Sequence, residues 1–199
     1  MVSAGRALYR LVMGNALRLE VAHTVIYVHD VDKMIGFYSD VLGFEVTDRG
    51  PLGGPFEISE IVFMSQTANA HHQVAFITGR EKPEPSNNTH HVAFRSSGTL
   101  DDLRALHDTV AAHDEVTQII PLTHGNAWSV YFRDPEFNGV EVFLDTPWHV
   151  QQPQGEPLDF SKSNDEIVAY TIEKFEGQPQ FGDIDAFFKQ RAERLAAKS

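Results

Sequence analysis

The stretch AHTVIYV (22–28) decides the fold, because HHVAFRS (90–96) repeats its pattern of a histidine followed by apolar residues in the second half of the chain. Each stretch is typical of a β-strand. After each we predict one helix and three more strands, so the order β-α-β-β-β occurs twice. The polar linker GREKPEPSNNT (79–89) separates the two copies. Such self-similarity indicates a duplicated module.

Start signals support the two predicted helices. Asp30 or Asp32 can cap the first helix, and Thr99 or Asp101 can cap the second. Between the first helix and the next strands, RGPLGGPF (49–56) is rich in Gly and Pro and cannot be a central strand.

The repeat predicts an α+β fold in which paired βαβββ modules form a curled mixed sheet around a cleft. The predicted divisions are an N-terminal helical extension at 1–19, a first module at 20–80, a second module at 88–146, and a C-terminal tail and helix packing on the domain at 147–199.

The charge balance restricts the partners. The chain has 16 basic and 28 acidic residues and a net charge of −12. Nucleic acids and anionic membranes attract basic surfaces, so we expect neither as a partner. The chain has no cysteine, which fits a reducing compartment, and its N-terminus lacks the apolar run of a signal peptide or membrane span. We therefore expect a cytoplasmic protein, and the extra helix at each end predicts a homo-oligomer.

Three predicted strands carry side chains that can bind a metal ion: His23, His91 and Glu141. Two neutral imidazoles and one carboxylate hold a non-haem Fe(II) on one face and leave the other face open. A lone strand histidine is more often structural, so the argument depends on the whole set. Glu141 lies in the apolar run GVEVFL (139–144), where an unpaired charge would be unfavourable.

Three further residues extend this candidate site. His72 follows His23 at nearly the offset at which Glu141 follows His91, so we expect His72 to take the place of Glu141 in the first module. His124 comes just before a predicted strand, and Tyr131 lies within that strand. Such a pair suits acid–base chemistry. Aromatic contacts to a substrate ring are expected from Trp128, Trp148 and His149.

The stretch HGNAWSVYFRDPEFNGVEVF (124–143) carries a more specific pattern. It runs from a His through an aliphatic residue and Tyr to an Asp-Pro turn and then to Glu141. This pattern resembles the vicinal oxygen chelate superfamily, and within it the type I extradiol ring-cleavage dioxygenases of the catechol 2,3-dioxygenase kind. The resemblance covers roughly residues 20–148. Leu122 and Phe137 depart from it, because a smaller or β-branched residue is usual at the first position and Gly or Pro at the second.

The resemblance implies an enzyme that opens the ring of a small aromatic diol with O2 at a mononuclear Fe(II), or less often Mn(II). The implied roles are metal binding by His23, His91 and Glu141, proton donation to bound oxygen by His72, hydrogen bonding to a substrate hydroxyl by His124, and assistance to substrate deprotonation by Tyr131.

Two alternatives use the same fold. A glyoxalase or epimerase would need a fourth metal ligand from the first module, and Gln73 is the candidate. A small-molecule-binding protein would need a cavity and no metal. Metal content separates the first alternative from a dioxygenase, and oxygen consumption with catechol separates the second.

Overall fold

The first βαβββ module forms a four-stranded sheet. A computed structural model of the protein describes residues 20–54, 58–86 and 88–196, so the predicted extension at 1–19 lies outside the described residues. The strand order is β1-β4-β3-β2, with β1 parallel to β4 and the other pairs antiparallel. Its elements are β1 (Thr24–Val28), α1 (Val31–Asp40), β2 (Glu45–Leu52), β3 (Ile58–Ser65) and β4 (Val74–Thr78).

The second module repeats this topology, and its sheet gains one strand from the tail. The order is β10-β6-β7-β8-β5, where β10 (Glu156–Pro157) is the strand from the tail, and β5 is parallel to β8 as β1 is to β4. The predicted α+β fold of paired modules with curled mixed sheets is confirmed, and neither sheet closes into a barrel. Its elements are β5 (Val92–Arg95), α2 (Leu100–Ala111), β6 (Thr117–Thr123), β7 (Ala127–Arg133) and β8 (Gly139–Asp145).

The tail packs on the second module. β10 pairs with β6, and the Trp128 indole N–H donates to the Thr171 hydroxyl over 2.9 Å. None of the described helices is long and apolar enough to cross a membrane. The tail elements are β9 (Trp148–His149), β10 (Glu156–Pro157), α3 (Asn164–Phe175), β11 (Gly182–Asp183) and α4 (Ile184–Ala196).

The helices begin where the sequence predicts. Asp30 accepts a hydrogen bond from the Lys33 amide, and Thr99 forms a reciprocal capping box with Asp102. The Gly/Pro-rich stretch is not a central strand, yet β2 continues through it to Leu52. This is possible because β2 is an edge strand, and Pro51 lies where the pairing with β3 is shifted, between Gly50 and Leu52.

The two faces of each sheet have different surroundings. Helix α1 packs on one face, where Tyr38 contacts Phe76 of β4 at 4.8 Å between ring centroids and Phe37 contacts Phe132 of β7 at 6.2 Å. Successive strand residues point to opposite faces. We call the opposite side of the sheets, which carries Ala75, Ser129, Tyr131 and Glu141, the cleft face. Two of the predicted site residues, Tyr131 and Glu141, therefore lie on the cleft face.

Carboxylates join the two modules. Glu136, 1% exposed in the β7–β8 turn, accepts hydrogen bonds from the backbone amides of His29 and Asp30 over 2.9 and 2.7 Å. In the same turn, buried Asp134 accepts from the Tyr38 hydroxyl over 3.4 Å. Burial raises the pKa of Asp134 to about 6, although donors from Asn138 and the Glu136 amide oppose the shift. The start of α1 is therefore fixed to the second module.

Candidate active site

His91 and Glu141 form the centre of the site. The parallel pairing of β5 with β8 brings His91 Nε2 within 3.1 Å of Glu141 Oε2. Ser129, fully buried on β7, donates from its hydroxyl to Glu141 Oε1 over 2.8 Å. Divalent first-row metals hold N and O ligands at about 2.1 Å, so two ligands at right angles are about 3.0 Å apart. The separation of this pair fits two adjacent ligands of such a metal.

Tyr131 and His124 extend this centre along the cleft face. Tyr131 pairs with Glu141 across β7 and β8, and its ring lies 5.2 Å from that of His91 between centroids. His124 Nε2 lies 3.0 Å from the Tyr131 hydroxyl oxygen. Burial raises the pKa of Tyr131, and its hydrogen bond to Glu141 and the charge of that carboxylate raise it further. The phenol is therefore held in its protonated form.

The first module contributes a second, more exposed group of histidines. The His23 and His72 rings lie 4.2 Å apart between centroids, and His72 also contacts Phe63. His72 Nδ1 lies 2.9 Å from His71 Nδ1, and His71 Nε2 lies 2.8 Å from Asp48 Oδ2. Burial, followed by the neighbouring His23 and His71, lowers the pKa of His72. His72 is therefore biased toward its neutral form at physiological pH.

The strand register corrects one expectation. His72 does not take the place of Glu141 in the first module. Glu141 pairs with Ala93 on β5, and the corresponding pair in the first module is Val25 with Ala75. The prediction failed because it counted along the chain, whereas the offset between paired strands differs by two residues between the modules. The first module thus carries an apolar methyl group where the second carries a carboxylate.

The structure gathers the six predicted site residues as two groups. His91, Glu141, Tyr131 and His124 form one group, and His23 and His72 form the other. Within residues 20–54, 58–86 and 88–196, no group of three His, Asp or Glu side chains is arranged to hold a metal ion. Joint metal binding by His23, His91 and Glu141 therefore stays a prediction, and it requires His23 to meet the other two.

The aromatic residues that we expected to contact a substrate ring make other contacts in the structure. The prediction that Trp128 contacts a substrate ring is wrong, because its side chain points away from the cleft face and is buried in the helix-covered core. Trp148 stacks on Phe181, and His149 stacks on Phe187 with 3.5 Å between ring centroids. Both of these stacking contacts lie within the tail. The sequence could not predict them, because strand alternation orients a residue but does not show which segment covers it.

Two contributors were missed by the sequence reasoning. Ser129 lies two residues before Tyr131 on one strand, so the period-2 alternation could have placed it on the cleft face. The Gln154 carbonyl, 2.6 Å from His124 Nδ1, comes from the tail and has no sequence signal. The turn before β8 has Phe137 at φ 64°, a left-handed conformation that glycine adopts more easily. The unusual residue at this position therefore keeps a glycine-like backbone.

Comparison with known proteins gives a family and several relatives. The family profile described as the glyoxalase/bleomycin resistance protein/dioxygenase superfamily matches residues 20–142. Biphenyl-2,3-diol 1,2-dioxygenase 3 of Rhodococcus globerulus is 31% identical over 131 residues, which are 63% of this chain and 63% of that protein. A probable lactoylglutathione lyase of Synechocystis sp. is 24% identical over 125 residues, covering 60% of this chain and 91% of that protein.

A solved structure shares the fold. The glyoxylase/bleomycin resistance protein/dioxygenase domain from Frankia sp. EAN1pec aligns with a TM-score of 0.54 at 18% identity, over 67% of this chain and 96% of that one. The similar region spans under two thirds of the Rhodococcus relative's own length. From the profile match, which extends over most of both modules, the chain belongs to the glyoxalase/bleomycin resistance protein/dioxygenase superfamily.

Proposed function

We propose that this protein is an extradiol dioxygenase that opens the ring of a catechol-type diol with O2 at a mononuclear Fe(II). One observation carries the proposal: the contact of His91 with Glu141 lies beside a Tyr131–His124 hydrogen bond on one face of one sheet. A metal-binding pair next to a phenol and an imidazole suits a substrate that must bind a metal and lose a proton.

His91 and Glu141 would supply two metal ligands, and His23 the third. When bound, Fe(II) would supply an electrophilic centre with open positions for a diol and O2. Ser129 would hold the Glu141 carboxylate in place through Oε1, and Oε2 would then be available to bind a metal. The negative Glu141 and two neutral imidazoles leave a net positive charge on the occupied site, which favours a deprotonated diol.

The other candidates would handle protons. Tyr131 lies between His124 and Glu141, so it can accept a proton from a diol hydroxyl while it gives its own to His124. His72 has a lowered pKa and a neighbour, His71, through which it can be reprotonated from solvent. We assign Tyr131 and His124 to substrate deprotonation and His72 to later proton donation.

Two observations favour this function over a glyoxalase-type reaction. The Gln73 side-chain oxygen, the candidate fourth ligand, accepts a hydrogen bond from the Gln66 amide over 2.9 Å. The register position that matches Glu141 is Ala75, so β4 offers no carboxylate there. A metal-free binding protein, in turn, would have no use for a buried carboxylate held by Ser129 against an imidazole.

Oxygen uptake tests the proposal. The protein reconstituted with Fe(II) is given a panel of substituted catechols, and ring opening is followed by oxygen consumption and by visible absorbance of the products. Removal of iron with a strong chelator should abolish uptake, and added Fe(II) should restore it. Glu141→Gln, which removes a ligand charge at constant shape, should lower metal affinity by more than about 100-fold.

Glu173→Gln on the exposed side of α3 is the matched control and should behave as wild type. Uptake that survives complete iron removal, or a Glu141→Gln variant with full iron content and rate, would contradict the proposal. Isomerisation of a hemithioacetal by a nickel- or zinc-loaded protein, without oxygen uptake, would assign the glyoxalase alternative instead.

A further inference from the structure

The tail reaches back to the candidate site through a closed set of hydrogen bonds. The Gln152 side-chain amide donates to the His124 carbonyl over 2.8 Å. The Gln152 side-chain oxygen accepts from the Gln154 amide over 2.9 Å, and the Gln154 carbonyl lies 2.6 Å from His124 Nδ1. We call residues 151–155 the tail loop. It holds both the backbone and the ring of His124, and it follows the segment that matches the family profile.

The turn that carries His124 is also packed against the tail. Gly125 has φ 78°, and a side chain there would come within 2.6 Å of Val150 and 3.0 Å of Phe175. The Thr146 hydroxyl donates to the Gly125 carbonyl over 2.7 Å. The β6–β7 turn therefore has little room to shift, and the His124 ring has a defined position relative to the tail loop.

The partners of His124 fix its tautomer. A backbone carbonyl can only accept a hydrogen bond, so the 2.6 Å contact with Gln154 requires the proton of neutral His124 to be on Nδ1. The other nitrogen, Nε2, then has a lone pair and must accept from the Tyr131 hydroxyl. The neighbouring Glu141 carboxylate would compete for the Tyr131 hydrogen, but a carboxylate engaged as a metal ligand would leave Nε2 as the acceptor.

We propose that the tail loop is a positioning element that holds His124 as the Nδ1–H tautomer, with Gln152 as its key positioning residue. His124 Nε2 is thereby a ready proton acceptor, not a donor. Its catalytic use rests on the proposed function: the diol hydroxyl gives its proton to the Tyr131 oxygen as the Tyr131 proton passes to Nε2. Tyr131 is unchanged overall, and the imidazolium formed keeps its Nδ1–H bond to the Gln154 carbonyl, which is stronger when the donor is charged.

Nitrogen NMR of the metal-free protein tests the tautomer directly. Long-range 1H–15N spectra are recorded at about pH 8, above the ordinary histidine pKa of about 6.5, and His124 is assigned from the signals lost in His124→Gln. We expect a protonated Nδ1 and a bare Nε2 in the wild type. Gln152→Ala should give a mixture of both tautomers, because the Gln154 carbonyl loses its support.

The matched control is Gln178→Ala, an exposed tail glutamine whose side chain makes no hydrogen bond to His124 or the tail loop among the described residues; it should keep the wild-type spectrum. In the iron-loaded enzyme, Gln152→Ala should lower kcat about 10- to 100-fold with KM little changed. A wild-type His124 protonated at Nε2, or a Gln152→Ala variant with the wild-type tautomer, overturns the inference. If the wild type consumes no oxygen with any catechol, the proposed function fails, and the spectra alone still decide the tautomer.

Discussion

The two modules share a topology but differ in what their cleft faces carry. In the second module, Glu141 is nearly buried and is held by Ser129 and His91. In the first module, the equivalent register position is Ala75, and the nearby acid is Asp48, whose side chain is 70% exposed. A buried carboxylate interacts strongly with its neighbours, whereas an exposed one is screened by water. Among the described residues, it is therefore the second module whose cleft face carries a buried carboxylate held by a serine and a histidine.

This comparison assigns different duties to the histidines of the two modules. Under the proposed function, His91, which contacts a carboxylate, would be a ligand, and His72, whose contacts among the described residues are with other rings, would be a proton carrier. The substitutions below test whether that division is real, from the largest expected effect to the smallest.

Exchanging the histidines separately gives the sharpest test. His91→Ala should lower iron affinity by more than about 100-fold, because it removes a ligand. His72→Ala should keep the iron and lower kcat by about 100-fold, because it removes a proton carrier. Metal analysis and oxygen-uptake kinetics on both variants separate the outcomes. Equal iron loss in the two variants would mean that His72 is itself a metal ligand and would break the comparison.

A pair of serines tests the support of the carboxylate. Ser129→Ala removes the donor to Glu141 and should lower iron affinity about 10-fold. Ser65→Ala is the control in the first module: Ser65 is also buried, but its hydroxyl donates only to the Thr67 carbonyl. Iron titration by competition with a chelator measures both. If Ser65→Ala weakens iron binding as much as Ser129→Ala, the effect is general loosening of the fold.

The carboxylate Asp134, which joins the two modules through Tyr38, gives a smaller effect, on the pH dependence of stability. Asp134 has its pKa raised from 3.8 to about 6 by burial, so the folded state binds the extra proton in that interval and loses stability as pH rises through it. Asp134→Asn removes this dependence. Relative to the wild type, the free energy of unfolding of the variant should therefore rise by up to about 3 kcal/mol between pH 4 and 6.

Urea unfolding at several pH values measures that difference. The exposed Asp114→Asn on the α2–β6 connection is the control, and its difference from wild type should stay flat over the same interval. A constant difference for Asp134→Asn as well would show that Asp134 is already ionised throughout, with its charge compensated where the modules join.

The fold was predictable from local signals in the sequence, but the way distant segments come together at the site was not. The caps at Asp30 and Thr99 and the alternation along β7 and β8 depend on neighbours in the chain, and the structure agrees with them. The error about His72 arose from strand register, which depends on pairing between distant segments.

The same limit applies to the residues that touch the site from far along the chain. The Gln154 carbonyl is a backbone group that any residue type presents, so no pattern of side chains could reveal it. The separation of His23 from His91 depends on how the two sheets sit against each other, and single-strand patterns carry no information on that.

The attachment of Glu136 to the His29 and Asp30 amides, which lie just before α1, has a mechanical consequence. It clamps the point where a hinge between the modules would have to bend, and the Tyr38–Asp134 contact clamps it a second time. Swinging one half toward the other would expose a carboxylate that is 1% accessible and leave the His29 and Asp30 amides unbonded. Under the proposed function, the His23 imidazole would therefore have to reach a metal at His91 and Glu141 by a local rearrangement around His23, and not by a hinge motion between the modules.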